Sequence, residues 1–214
     1  FQPSEFAKLA LIVWCGTVFH LKRGRLHEPL QLALPLLPFG GLIVALVLAG
    51  KDLGTGLILG AILVLIMWFV GFPLRVLVPL GAAALALVGL LVYGSGNRMS
   101  RISIFLDPQS NTDLSSQPMA ALYALASGGW WGAGLGASKQ KWGGLKTGAH
   151  TDYIFAVIGE ELGLFGVLLV IALFGLLGWA GLAVAMRSDK MFNKVVAAGI
   201  TGWFLTQAVI NIFV

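Results

Sequence analysis

Long apolar runs separated by short polar segments dominate the chain. Six runs approach the roughly 20 residues that an α-helix needs to cross the hydrocarbon core of a bilayer. The runs are continuous and do not alternate between polar and apolar residues, which favours helices over the strands of a barrel. The predicted spans are residues 6–20, 30–50, 53–71, 76–93, 162–186 and 195–214. The pattern predicts an all-α, polytopic transmembrane helical bundle, with residues 1–214 forming a single membrane domain.

One polar stretch, from about residue 94 to residue 152, is far longer than the other connections. It is rich in Gly and contains Trp130, Trp131 and Trp142, and Trp is the residue type that favours the headgroup region of a bilayer. Unstructured connections of this length are uncommon in compact domains unless they carry function. We therefore expect the chemistry of the protein to lie in or beside this loop.

The basic residues of the short loops predict the orientation of the spans. If each span crosses once, three basic loops fall on one side, which the positive-inside rule assigns to the cytoplasm. Their basic residues are Lys22, Arg23, Arg25, Arg75, Arg187, Lys190 and Lys194. The long loop then faces the outside of the cytoplasmic membrane.

Composition excludes several classes of protein. The chain is 58% hydrophobic and 11% charged, with a mean hydropathy of +0.91, so it is not a soluble globular domain. The net charge of +5 does not indicate nucleic-acid binding, because no basic run is interleaved with stacking aromatics. The single cysteine, Cys15, excludes an internal disulfide. The chain begins without an initiator Met and ends in an apolar run, so we expect an internal portion of a longer protein.

Asp152 stands where the long polar loop meets an apolar run. A charge at a bilayer boundary is costly to bury and requires pairing, hydration or a chemical role. One interpretation makes Asp152 a general base at the membrane–water boundary. The other makes Thr151 or Asp152 the capping residue of the next helix. The two interpretations are compatible, because a capping carboxylate is held rigidly.

Glu160 and Glu161 follow Asp152 by eight and nine residues. On a continuous helix they lie about 80° and about 180° around the axis from Asp152, so one stripe does not carry all three carboxylates. Glu160 is the better candidate for lining a shared cavity. The alternative is that both glutamates are solvated or salt-bridged charges at the interface. His150 orients Asp152 or contacts phosphate, or it is an ordinary polar residue of the loop surface.

Basic residues of the long loop form a candidate anion site. Arg98 and Arg101 lie three residues apart, on one face if the preceding helix continues. A pyrophosphate or an anionic headgroup would need such a cluster. The alternative is pairing with Asp107, Asp113 and lipid phosphate. The basic residues of this loop are Arg98, Arg101, Lys139, Lys141 and Lys146.

Two further charged groups have mainly structural interpretations. Glu5 and Lys8 lie at positions i and i+3 of the first span, which favours an internal ion pair. Asp52, followed by Leu-Gly-Thr-Gly, is typical of a tight turn that caps the next helix. No metal-ligand cluster, nucleotide loop or Ser/His/Asp signature is present. A divalent ion shared between one carboxylate and a substrate pyrophosphate is compatible with the sequence, since such sites need few protein ligands.

An ordered series of motifs resembles the SEDS family (the FtsW, RodA and SpoVE proteins). The similarity covers essentially the whole chain, and the string from His150-Thr151-Asp152 to Gly159-Glu160-Glu161-Leu162-Gly163 is its most specific part. The other matching motifs are Gln2-Pro3-Ser4-Glu5, Asp52-Leu53-Gly54-Thr55, Arg98…Arg101…Asp107-Pro108, Gly134-Leu135-Gly136…Gln140-Lys141 and Gln207…Asn211.

The loop 134–141 is more similar to the division members of the family than to the elongation members. Two segments depart from the family pattern. Lys51 stands in place of the usual proline, and residues 144–148 replace a link that usually contains Leu-Pro.

The resemblance implies a peptidoglycan glycosyltransferase of the bacterial cytoplasmic membrane. Members polymerise lipid II on the extracytoplasmic side by inverting transfer, with undecaprenyl pyrophosphate as the leaving group, and they work with a class B penicillin-binding protein and other division proteins. The catalytic aspartate of the family falls on Asp152. Substrate contacts are expected from Arg98, Arg101, Lys139, Lys141, His150, Glu160, Glu5 and Lys8. No cofactor is required by the sequence, and Mg²⁺ or Mn²⁺ is the candidate ion.

Two other classes of function remain open at this point. A flippase for lipid-linked precursors would also need many spans and a polar cavity, but its charges should follow a path across both leaflets. The ionisable residues of this chain gather at the outer side instead. A non-catalytic division scaffold is the third class.

Overall fold

The structure is a computed structural model that describes residues 3–25, 29–50, 52–94, 99, 116–145 and 151–213. These residues form seven α-helices and one short 3₁₀ turn, and no strand occurs among them. The helices are α1 (Pro3–Leu21), α2 (Pro29–Ala49), α3 (Leu53–Val70), α4 (Leu74–Tyr93), α5 (Ser116–Gly128), α6 (Ile154–Arg187) and α7 (Met191–Phe213). The all-α prediction is confirmed.

Each of the six predicted spans corresponds to a helix. Among the described residues, α1, α3, α4, α6 and α7 are long and apolar enough to cross a membrane. Helix α2 is 21 residues long and contains Pro35 and Pro38. The chain is thus a polytopic helical membrane protein, as its hydrophobic pattern predicts.

The described contacts group into two compact units. Unit 1 comprises Phe1–Val88 and Leu176–Gln207, and unit 2 comprises Gly89–Gly175 and Ala208–Val214. The expectation of a single membrane domain stays a prediction.

The core of unit 1 is built where α1, α3 and α7 pack together. Ile12 of α1 and Ile66 of α3 are buried and lie beside Gly199 of α7, where an added Cβ would come within 3.0 Å of Ile66. Gly16 of α1 similarly lies against Val196 and Phe192 of α7. Small residues at helix interfaces let apolar helices approach closely, which supplies packing energy where lipid provides no hydrophobic driving force.

The core of unit 2 lies between α5 and the start of α6. Four of its six buried residues are alanines, which lets the two helices approach closely, and Tyr153 packs against the cluster. The cluster consists of Ala120, Ala121, Ala124, Leu145, Ala156 and Val157. Leu145 comes from the turn-rich segment after α5, so that segment is part of the core and not a free loop.

A break interrupts α6 at Gly163, where φ is 66° and ψ is −161°. This backbone conformation is essentially restricted to glycine. The first nine residues of α6 therefore form a separate short helix, and the long apolar run begins after it. The sequence predicts one continuous helix here, and the break at Gly163 shows that this prediction is wrong.

Candidate functional site

Asp152 lies at the edge of a cavity of about 240 Å³ within unit 2. The side chain is exposed and belongs to the turn Thr151–Tyr153 that precedes α6. No described residue forms an ion pair or a hydrogen bond with its carboxylate. The walls come from α5, the start of α6 and the end of α7: Pro118, Ala121, Leu122, Leu125, Asp152, Tyr153, Phe155, Ala156, Asn211 and Ile212.

Most of this cavity wall is apolar, and Asp152 is its one ionisable carboxylate. The volume is below the roughly 300–1,000 Å³ of sites that enclose a drug-sized ligand. The cavity therefore suits one part of a larger amphipathic substrate. Asn211 of α7 adds a further polar side chain to the lining; the sequence predicts it only as part of the Gln207…Asn211 motif, not as a residue of the site.

The backbone groups freed by the break at Gly163 are satisfied by the segment 129–134. In an unbroken helix, the Leu164 and Phe165 amides would donate to the Glu160 and Glu161 carbonyls. Here Leu164 N donates to Gly129 O at 2.9 Å and Phe165 N to Trp130 O at 3.5 Å. The Glu160 and Glu161 carbonyls accept instead from Ala133 N at 2.9 Å and Gly134 N at 3.0 Å. These four backbone groups are therefore all satisfied within the protein, as non-helical backbone in a membrane protein requires.

Two close backbone approaches accompany this exchange of hydrogen bonds. A Cβ at Gly163 would lie 2.6 Å from Trp130 O and would also collide with Gly132 N. A Cβ at Gly128 would collide with Gly159 O. Glycine is therefore required both at Gly163 in α6 and at Gly128, where α5 ends and the loop after it begins. The sequence shows that this loop is rich in glycine, but it does not show that the loop packs against α6.

Glu160 is buried, with 3% of its surface exposed. Its carboxylate accepts hydrogen bonds from Ser138 Oγ at 2.5 Å, Lys139 N at 2.9 Å and Gln140 N at 3.4 Å. A buried carboxylate is tolerated only when donors compensate its charge, and these donors supply that compensation. A direct contact between Glu160 and substrate stays a prediction, and the role of Ser138 was missed by sequence reasoning.

Glu161 forms an ion pair with Lys141, whose Nζ lies 3.2 Å from Glu161 Oε1. The same ammonium lies 5.7 Å from the centre of the Trp142 ring. This geometry matches the salt-bridged alternative considered for the glutamates. Lys139 is exposed, so of these two lysines it is the more available for a substrate anion. Substrate binding by Lys139 and Lys141 stays a prediction.

A second polar cluster lies in unit 1 around Lys8, which is 1% exposed. Lys8 Nζ lies 2.6 Å from Glu5 Oε1, so the predicted ion pair is confirmed. Lys8 Nζ also donates to Gln207 Oε1 at 3.3 Å and lies 5.0 Å from the centre of the Trp203 ring. Trp203 Nε1 donates to the same Gln207 oxygen at 2.7 Å. Substrate contacts by Glu5 and Lys8 stay predictions.

Asp52 caps α3, as its sequence context predicts. Its Oδ1 accepts a hydrogen bond from Thr55 N at 3.0 Å. Hydrogen bonds from the Thr55 side chain and backbone hold the pKa of Asp52 below its usual value, with a smaller contribution from the positive charge of Lys8.

Three of the candidate site residues, Arg98, Arg101 and His150, lie outside the described residues. For a metal ion, the described part of the chain offers no group of three or more His, Cys, Asp or Glu side chains that could bind one. The Asp152 cavity presents a single carboxylate, so Mg²⁺ or Mn²⁺ would need the substrate for most of its ligands. The divalent ion stays a prediction.

Comparison with known proteins gives a consistent set of matches. Residues 1–214 match the family described as "Cell cycle protein" (FtsW/RodA/SpoVE). The chain is 39% identical over 212 residues to the "Probable peptidoglycan glycosyltransferase FtsW" of Mycobacterium tuberculosis, covering 99% of this chain and 40% of that protein. It is 35% identical over 221 residues to the protein of the same name from Bacillus subtilis, covering 99% and 55% respectively.

A solved structure supports the fold. The chain is similar, with a TM-score of 0.68 and 27% sequence identity, to a chain from "Structural coordination of polymerization and crosslinking by a peptidoglycan synthase complex". The match covers 99% of this chain and 58% of that one. The present chain thus spans about half the length of the curated relatives it matches.

Proposed function

Because the chain belongs to the FtsW/RodA/SpoVE family of cell cycle proteins, we propose that it carries the catalytic centre of a peptidoglycan glycosyltransferase. The reaction is the polymerisation of lipid II into glycan strands during division. One observation supports this proposal most directly: an exposed carboxylate, Asp152, lies at the edge of an apolar-walled cavity in a membrane protein. An exposed carboxylate beside an apolar-walled cavity suits the role of proton acceptor for a lipid-linked substrate.

In the proposed mechanism, Asp152 accepts the proton of the 4-hydroxyl group of the acceptor N-acetylglucosamine. That oxygen forms a bond to the anomeric carbon of the donor chain, and the bond from this carbon to the pyrophosphate oxygen breaks. The configuration inverts, and undecaprenyl pyrophosphate leaves with the bonding electrons. Asp152 then releases its proton to water. A positioned general base contributes about 10²–10⁴-fold to such a step.

Basic side chains would offset the charge that develops on the pyrophosphate. Lys139 is the best supported of the described candidates, because it is exposed and its backbone N–H is held by Glu160. Lys141 already has an anionic partner. Arg98 and Arg101 complete the proposed group. Glu5, whose side chain is 36% exposed, and its ion-pair partner Lys8 are proposed as a further substrate contact, made through the Glu5 carboxylate.

The decisive test measures polymerisation of purified lipid II by the intact protein. We expect glycan chains with the wild type and a loss of about 10²–10⁴-fold in rate with Asp152→Asn. Asp189→Asn is the matched control, since Asp189 is an exposed aspartate outside the cavity, and its rate should stay within about twofold of the wild type. Wild-type activity in Asp152→Asn would remove Asp152 from the mechanism.

The same preparation separates the other classes of function. Movement of lipid II across sealed vesicles without chain formation would identify a flippase. Neither activity, in a protein that still binds its division partners, would identify a scaffold. A class B penicillin-binding protein is the proposed partner, supported by the resemblance to a chain from a peptidoglycan synthase complex.

The proposed extracytoplasmic location of the site has its own test. Cys15 is buried, so cysteines introduced elsewhere can be labelled with little background. An impermeant maleimide added to spheroplasts should label Trp142→Cys and should not label Asp189→Cys until the membrane is permeabilised. The reverse pattern would place the Asp152 cavity on the cytoplasmic side and end the proposal.

A further inference from the structure

The carboxylate of Glu160 fixes the start of a turn that spans residues 138–145. It accepts from the hydroxyl of Ser138 and from two consecutive backbone amides, those of Lys139 and Gln140. Ser138 Oγ in turn accepts from Lys141 N at 3.1 Å. The carboxylate therefore satisfies the unpaired amides at the beginning of the turn, as an N-cap does for a helix.

The other end of this turn is packed into the core of unit 2. Leu145 is fully buried in the cluster that joins α5 to α6, and its amide donates to Gln140 O at 2.9 Å. Gly144 lies against Ala120 of α5, since an added Cβ would be 2.5 Å from the Ala120 Cβ. Glu160 and Ala120 are thus connected through one compact turn.

The same cluster forms part of the wall of the Asp152 cavity. Ala121 of α5 and Ala156 of α6 belong both to the buried cluster and to the cavity lining. Protein interiors are close-packed, so a shift of the turn transmits to the residues packed against it. A contiguous set of contacts leads from the Glu160 carboxylate to the cavity that holds Asp152.

We propose that Glu160 is a positioning residue for the Asp152 cavity. Its carboxylate holds the 138–145 turn, the turn holds α5 against the start of α6, and this packing sets the width of the cavity. The inference rests on the proposed function for its kinetic consequence. It differs from the expectation that Glu160 contacts the substrate, because the carboxylate is buried and both of its oxygens accept hydrogen bonds from the turn.

The kinetic test compares Glu160→Gln with the wild type in lipid II polymerisation. Glutamine replaces one carboxylate oxygen by a donor, which leaves an amide of the turn without an acceptor. Misplacement by about 1 Å can reduce a rate by about 10²-fold, so we expect kcat to fall about 10–100-fold. The KM for lipid II should stay within about threefold, and the pH profile should keep the shape of the wild type.

Three kinetic outcomes would overturn the proposal. A raised KM with unchanged kcat would indicate a direct substrate contact by Glu160. Loss of a limb of the pH profile would indicate that Glu160 itself exchanges protons. Wild-type kcat and KM would show that the turn does not affect the reaction.

Two serines supply a milder variant and its matched control. Ser138→Ala removes one donor of the Glu160 carboxylate, so kcat should fall about 3–10-fold, as expected for the loss of one hydrogen bond. Ser127→Ala removes a hydroxyl that donates locally to Ala124 O within α5, and its kinetics should match the wild type. Equal kinetics for the two variants would contradict the proposal even if Glu160→Gln fails to fold.

Hydrogen exchange tests the structural connection without any activity. In Glu160→Gln, backbone amides of residues 139–145 and of α5 should exchange faster, while those of α3 should not change. Faster exchange in residues 139–145 with no change in α5 would overturn the connection to the cavity. If the wild type does not polymerise lipid II, the proposed function fails, and the exchange data still decide whether Glu160 organises this part of unit 2.

Discussion

The two units accommodate a charged side chain in opposite ways. In unit 1 the buried Lys8 ammonium is matched by Glu5, Gln207 and the face of Trp203. In unit 2 the Asp152 carboxylate is exposed at an apolar-walled cavity and has no hydrogen-bonding partner among the described residues. A fully compensated charge contributes mainly to structure, whereas an uncompensated one at a cavity is available for chemistry.

The contrast repeats within unit 2 over eight residues. Asp152 is exposed, whereas Glu160 is buried and holds a turn through three hydrogen bonds. Residue type therefore does not distinguish a candidate base from an organising carboxylate. The two carboxylates are distinguished by the hydrogen-bond donors around them. Substitutions can test this distinction through the free energy of unfolding.

The largest effect on stability is expected at the break in α6. Gly163→Ala places a Cβ against Trp130 O and Gly132 N in a backbone conformation that only glycine adopts easily. We expect a loss of about 4 kcal/mol or more in the free energy of unfolding, from backbone strain and from weakened hydrogen bonds to the 129–134 segment.

Gly175→Ala is the matched control for this prediction. Gly175 lies in the same helix, and an added Cβ there would meet no atom within 4 Å, so alanine should be neutral or stabilise by up to about 1 kcal/mol. Unfolding of both variants in mixed micelles measures the difference. Equal stability would contradict the glycine-specific break.

The second largest effect is expected at the unit 1 cluster. Lys8→Met removes the partner of Glu5, and we expect a loss of about 3 kcal/mol, the lower end for breaking a buried ion pair, because the Glu5 side chain is 36% exposed. The double variant Glu5→Gln/Lys8→Met should recover most of this loss. If the double variant is as unstable as Lys8→Met alone, the pair does not act as a unit.

A smaller effect is expected at the N-cap of α3. Asp52→Ala should lower the free energy of unfolding by about 1 kcal/mol, and Asp52→Asn by less. Because the pKa of Asp52 is lowered in the folded state, its contribution is complete above the usual value of 3.8 and is lost as the pH falls through the folded-state pKa.

Denaturation curves at several pH values check the sign of this dependence. The difference between the wild type and Asp52→Ala should stay constant above the usual pKa and shrink below it. A difference that grows on acidification would contradict the cap as the cause.

The smallest effect on stability is expected where the effect on activity is greatest. Asp152→Asn should change the free energy of unfolding by less than about 0.5 kcal/mol, as is usual for an exposed residue without specific partners. Thermal unfolding beside the activity assay measures this. A large loss of stability would mean that Asp152 has a structural role, and the contrast between the two units would fail.

Local sequence signals predicted most of the helical framework and two of its polar contacts. The Glu5–Lys8 pair follows from an i, i+3 spacing, and the Asp52 cap follows from the residues directly after it. The break at Gly163 could not be predicted, because a lone glycine in an apolar run is compatible with a continuous helix. Its cause is the segment 129–134, about 30 residues earlier in the chain.

The sequence alone thus determined that this is a polytopic helical membrane protein with Asp152 where the long polar loop meets an apolar run, since length, hydrophobicity and cap signals act within one or two helical turns. Only the tertiary structure decided that Glu160 is enclosed by the 138–145 turn, that Asn211 shares a cavity with Asp152, and that α6 is broken. The physical reason is that compensation of a buried charge, and of backbone groups outside a helix, depends on donors and acceptors brought together from distant parts of the chain.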